Sequence, residues 1–365
     1  MTRAVAAMMV ALSLGAASLA AAAVLITVNT AAPDAPAPAP RFDVDPAWPK
    51  PLPGQWLMGQ AAGVAVDRQD VIWVIHRPGS LTDDEKGATL TPPRSACCVP
   101  APPVLAFDAE GTLLHAWGGS GEAWPSNEHG IHVDAQDHVW IAGNGRRDGR
   151  IFKYTKAGKL VLAIGAAGVV GDDADTRHLN RPAAMVVDPQ GRELFVADGY
   201  GNHRVIVFDA QTGAYRRHWG ANGRPPGDRS VKAFGTPVHC IRLSRDGLLY
   251  VCDRANNRIQ VFRPDGTFVR EFTVARDTHG NGSTWDADFS HDPAQTLLFA
   301  ADGENNVVWT LRRDSGRVLG SFGRSGRQAG QFHWVHNLAV DSKGNVYTTE
   351  VDTAKRAQKF VRTGP

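Results

Sequence analysis

The sequence predicts an all-β protein, a six-bladed β-propeller, on three observations. A short apolar strand ending in an Asp or Ser turn recurs six times: "GVAVD" to Asp67, "GIHVD" to Asp134, "AMVVD" to Asp188, "CIRLS" to Ser244, "DADFS" to Ser290 and "NLAVD" to Asp341. The intervals of 67, 54, 56, 46 and 51 residues each leave room for four short antiparallel strands, the unit of a propeller blade. No long helical periodicity interrupts the array, and 38 Gly and 23 Pro among 365 residues suit a chain of short strands and turns.

Taken from the N-terminus, the chain opens with Arg3 and an apolar run from Ala4 to Val28. Residues 1–28 are expected to be an export signal or an N-terminal membrane anchor acting through residues 4–28. The Ala/Pro stretch over 29–40 reads as a linker that cannot pack a core, and 41–365 as the propeller, placed in the periplasm or outside the cell. Four cysteines, Cys97, Cys98, Cys240 and Cys252, suit an oxidising compartment and leave three full pairings open. The 39 basic and 37 acidic residues, net +2, are scattered along the chain. No basic stripe argues for nucleic acid, and a monomer is expected.

Within each unit a second apolar strand follows the anchor, in turn "VIWVIHR", "HVWIAGN", "ELFVADGY", "LLYVCDR", "LLFAADG" and "NVYTTEV". Third strands such as "VIVFDAQTG" and "IQVFRPDGT" come next, and most units add a fourth, such as "TLLHAWG". The last unit stops after "AQKFVRTGP", so "RFDVD" at 41–45 is expected to supply its fourth strand and close the ring, which removes an exposed sheet edge. The first unit carries an insertion, "PGSLTDDEKGATLTPPRSACCVPAPP", too rich in proline for an inner strand. Asp198, Asp253, Asp302, Asn202 and Asn257 recur between second and third strands and read as turn-capping residues.

Residues that break the repeat are better candidates for chemistry. Five residues before each anchor stand Ala62, His129, Ala183, His239, Trp285 and His336. Histidine occupies blades two, four and six, about 120° apart on a six-bladed ring, so three imidazoles should converge on the axis. Three imidazoles with an open fourth position suit a catalytic Zn²⁺. His132, His138, His203 and His333 fall out of phase and read as surface or packing residues. Second strands end on the same face as first strands begin, which brings Arg77, Tyr200 and Arg254 toward the histidines. Tyr200 is the candidate general base, and the two arginines are candidates to hold a carboxylate or stabilise negative charge.

At these residues the chain resembles a known family. The units look like NHL repeats, and the arrangement is similar to the lyase core of peptidylglycine α-amidation, a six-bladed propeller that cleaves peptidyl-α-hydroxyglycine to a peptide amide and glyoxylate. The likeness is sharpest in "GVAVDRQDVIWVIHR", "EHGIHVD", "VADGYGNHRVIVF", "VHCIRLS", "CDRANNRIQVF" and "VHNLAVDSKGNVY". It implies zinc ligands at His129, His239 and His336, and active-site groups at Arg77, Tyr200 and Arg254. It further implies a channel calcium held by the backbone carbonyls of Val64 and Ile131 and by a carboxylate at the position of Asn337. An amide in place of that carboxylate predicts weak or absent calcium. Gly201, Tyr250 and Val261 stand where the family has cysteines, so those disulfides are not expected.

The resulting expectation is an exported zinc-dependent carbon–nitrogen lyase acting on a small molecule or peptide with a hydroxylated carbon. A propeller hydrolase of the gluconolactonase kind would need a carboxylate-rich shell, and no inward Asp/Glu set is in phase. A non-catalytic NHL binding platform would leave the three phased histidines without a role.

Overall fold

The computed structural model describes residues 39–119, 121 and 123–364; the expected signal or anchor and almost all of the linker lie outside them. Five blades are consecutive four-stranded antiparallel sheets. Their inner strands are Gln60–Val66, Glu128–Val133, Ala184–Val187, Val238–Leu243 and Asp286–Phe289. The sixth blade runs inward from Phe42–Asp45 through Arg356–Arg362 and Val346–Glu350 to Val335–Val340. Phe42 pairs with Arg362 and Asp45 with Lys359, so the two ends of the propeller chain share one sheet, as the truncated last repeat implied.

The recurring anchors cap the turn between first and second strands in each unit. The Asp67 carboxylate accepts from the backbone N–H groups of Gln69 and Val71 and from Trp73 Nε1, and Asp134 repeats the pattern with Gln136, His138 and Trp140. Such side-chain-capped turns set the hairpin between first and second strands. Asp198 accepts from Asn202 and Arg204, Asp253 from Asn256 and Arg258, and Asp302 from Asn305 and Trp309, which confirms these aspartates as structural. Asn257 serves differently, donating to the carbonyls of Arg276 and Thr278.

Hydrophobic cores lie between neighbouring blades. One typical core joins Phe195, Val205 and Val207 of blade three to Ile241, Val251 and Phe262 of blade four. Because apolar burial is used up between blades, the axis is free to carry polar groups. The insertion of the first unit folds back through Val99–Pro100, which pairs in parallel with Trp56–Leu57, and Lys355 ties it to blade six through Ser80 O (2.9 Å) and Glu85. The cysteines pair as Cys97–Cys98 and Cys240–Cys252.

Closure yields a first prediction. Phe42 packs its ring 4.5 Å from Phe322 and 5.5 Å from Phe299, so removing the strand takes away both a ladder and apolar contact. Deleting residues 1–30 should leave thermal stability unchanged, whereas deletion through Val44 should lower Tm by several degrees. Equal melting of the two truncations would contradict closure by this strand.

Candidate metal centre

The inner strands of blades two, four and six each break register at the histidine: between Glu128 and Ile131, between Val238 and Cys240, and between Val335 and Asn337. A bulge adds one unpaired residue and re-aims its side chain, here toward the axis. Gly130 is required beside the first of them, because a Cβ there would lie 2.5 Å from the Ala183 carbonyl oxygen.

His129, His239 and His336 are buried, and their candidate ligand nitrogens lie within 4.8 Å of one another. The ring centroids form a near-equilateral triangle with sides of 5.1, 4.8 and 4.8 Å. Each Nδ1 faces the backbone carbonyl at the equivalent position of the next blade: His129 faces Ala183 (2.8 Å), His239 faces Trp285, and His336 faces Ala62 (2.7 Å). A carbonyl only accepts, so Nδ1 carries the proton and the Nε2 lone pair is the one each ring offers as an acceptor or ligand. The six equivalent positions therefore alternate imidazole and carbonyl around the ring. A metal-binding histidine is held in this way, and the donor set fits a borderline cation such as Zn²⁺.

Burial first, then neighbouring imidazoles and guanidiniums, hold His129 and His239 well below the ordinary imidazole range. Burial followed by Arg77 and Arg254 brings His336 down to about 3. A neutral imidazole favoured by the fold contributes stability that is present above the unfolded value and lost as pH falls below it. In metal-free protein the three Nδ1–H tautomers should persist from pH 7 to about pH 5 in imidazole ¹⁵N spectra. Titration of all three near the unperturbed value, about 6.5, would contradict this.

Tyr200 enters from the loop after Glu193–Asp198, with its hydroxyl 2.9 Å from His129 Nε2 and 3.0 Å from His239 Nε2. Gly199 makes the turn, since a Cβ would come 2.1 Å from the Val238 carbonyl oxygen. Arg254 lies 4.4 Å over the Trp285 ring and 5.9 Å from the Tyr200 ring; it is buried, and its Nε has no hydrogen-bond partner. Arg77 is fixed by Glu128 O (2.7 Å) and Gln60 Oε1 (2.9 Å) and lines a cleft of about 550 Å³ with Trp124 and Asn127. The expected constellation is thus assembled around one end of the channel. Arg181 joins it unannounced, 5.6 Å from the Tyr200 ring and anchored to Asn144 O. Trp285, expected only as a position in the ring, forms the wall on which Arg254 stacks.

The out-of-phase histidines lie outside the cluster. His132 Nε2 accepts from Val187 N, while His203 and His333 pair with Asp173 and Asp352 and His138 lies beside Asp134. Asn337 is not arranged as a calcium ligand. Its Oδ1 faces His336 Nδ1 (2.5 Å) and its Nδ2 donates to Asp286 (2.8 Å).

Six antiparallel four-stranded blades define a β-propeller, and the NHL repeat model matches residues 179–208 and 238–262, in blades three and four. The chain belongs to the family of NHL repeat-containing protein 3: the human protein is 30% identical over 277 residues, covering 71% of this chain and 73% of that one. Peptidyl-alpha-hydroxyglycine alpha-amidating lyase 2 of Drosophila melanogaster is 25% identical over 338 residues, 84% of this chain and 73% of its own. Virginiamycin B lyase from Staphylococcus aureus shares the fold, with a TM-score of 0.50 at 13% identity over 88% of each chain.

Proposed function

We propose that the protein is an exported, zinc-dependent lyase that cleaves a carbon–nitrogen bond at a hydroxylated carbon bearing a carboxylate, with a glyoxylate-type product. The observation that carries this reading is the placement of the Tyr200 hydroxyl, 2.9 and 3.0 Å from two of three carbonyl-anchored imidazoles. His129, His239 and His336 would hold the metal, which when bound supplies Lewis acidity to a substrate oxygen.

The remaining work falls to side chains of this chain. Arg254, with an unpartnered Nε, and Arg77, fixed by two acceptors, are suited to hold the substrate carboxylate. Tyr200 takes the hydroxyl proton; as the carbon–oxygen double bond forms, the carbon–nitrogen pair goes to nitrogen, which takes that same proton back from Tyr200 and leaves as the amide. Atoms balance without an oxidant or water. The Arg77 cleft leaves space for the remainder of the substrate. The similarity to the Drosophila lyase supports the same substrate class, and a metal cluster of imidazoles without a carboxylate among the described residues disfavours a gluconolactonase-type site.

The test is incubation of zinc-loaded protein with a peptidyl-α-hydroxyglycine. Glyoxylate and peptide amide released in equal amounts are expected. No release above the spontaneous rate would reject this substrate class.

A further inference from the structure

A second polar layer, next to the histidines along the inner strands, has no part in the proposed reaction. Arg242, two residues before the Ser244 turn of blade four, directs its guanidinium across to blades five and six. Its Nε donates to Ala287 O (2.8 Å), and its Nη2 to Asp286 Oδ2 (2.6 Å) and Leu338 O (3.0 Å). Ala287 and Leu338 each stand three residues before their anchors, the register that Val64 and Ile131 hold in blades one and two. Two main-chain carbonyls and a carboxylate are the oxygen donors that a hard divalent cation takes. A planar guanidinium satisfies them here through its own N–H groups.

The charges around this layer require a cation. Asp286 is buried, its Oδ1 has no hydrogen-bond partner, and its Oδ2 also accepts from Asn337 and from the Leu338 N–H. Asp288 lies close by; burial raises its carboxyl above the ordinary range, and Arg242 opposes that rise. His132 adds no positive charge, because burial, followed by repulsion from Arg242, holds it down to about 4. For Arg242, burial works against the charged form, but Asp286 and Asp288 together outweigh it. One carboxylate thus pairs with the fixed guanidinium and a second, held by the Val340 N–H, lies within its field, in surroundings where an unpaired charge is costly.

We propose that Arg242 is the resident cation of the channel: its guanidinium occupies from the chain the oxygen donors that a calcium ion would take, and removing it turns this layer into a calcium site. The Asn337 amide then has a definite place, bridging Asp286 of this layer to His336 of the metal centre.

Thermal unfolding and calorimetric titration with CaCl₂, against MgCl₂ at equal ionic strength, test the proposal. At about 1–10 mM CaCl₂, where weak sites fill, the wild-type protein should show no shift in Tm and no binding. Arg242→Met should melt lower than wild type, recover in CaCl₂ but not MgCl₂, and bind about one Ca²⁺ per chain. Arg242→Lys, which keeps the charge, should remain insensitive, and adding Asp286→Asn to Arg242→Met should abolish the calcium response. Stoichiometric calcium in the wild type would overturn the proposal, as would a folded Arg242→Met that takes none. If Arg242→Met is insoluble without calcium, recovery on refolding in CaCl₂ is expected; failure there while Arg242→Lys folds would equally overturn it. Zinc content and glyoxylate release are read separately, so this outcome does not decide the lyase assignment.

Discussion

Alanine at His129, His239 or His336 is expected to reduce bound metal from about one ion per chain to a small fraction of that, with loss of turnover in parallel. Each imidazole is held by a carbonyl of the next blade, so the site is pre-organised by the ring and loses a third of its donors with any one of them. The fold should survive, because the inter-blade cores do not include these residues. Metal content after dialysis, measured beside circular dichroism, checks both parts. His132→Ala and His333→Ala serve as controls, since both side chains have partners elsewhere, and should keep the metal. Full retention in all three single variants at the cluster would refute a trigonal site.

The second large effect is expected at Tyr200. Tyr200→Phe removes only the hydroxyl that faces two Nε2 atoms, while the ring can keep its contacts with Arg254 and Arg181. Turnover should fall by roughly 10²-fold or more, the scale of a lost general base, with metal content unchanged. Arg77→Ala should act differently, weakening substrate binding as well as turnover, because the residue is assigned to the carboxylate. A Tyr200→Phe variant with normal kcat would exclude the phenol as base even if the substrate class is right.

Much of this arrangement was legible in the chain because a propeller repeats. Six anchors in phase gave the blade count, and the same phase picked out three histidines in alternate blades without reference to any fold. Arg77, Tyr200 and Arg254 followed from strand direction alone, since second strands end where first strands begin. What phase cannot convey is contact between blades. That Ala62, Ala183 and Trp285 offer their carbonyls to the histidines depends on bulges that shift register by a residue, and alternation patterns do not encode bulges. Arg181 lies in the long connection before blade three, where no repeat position exists to compare. Arg242 did carry a signal, a guanidinium two residues before an anchor in an inner strand, but its partners come from two other blades. The pairing of Cys240 with Cys252 likewise required knowing that they face each other across adjacent strands.

The most direct measurement of the central claim is zinc K-edge X-ray absorption on the protein as purified, with its metal content determined on the same sample. About one zinc per chain is expected, with three imidazole nitrogens and one further nitrogen or oxygen donor at about 2.0–2.1 Å. A shell of oxygen donors without imidazole scattering, or protein that holds no zinc after exposure to it, would contradict a metal centre built from His129, His239 and His336.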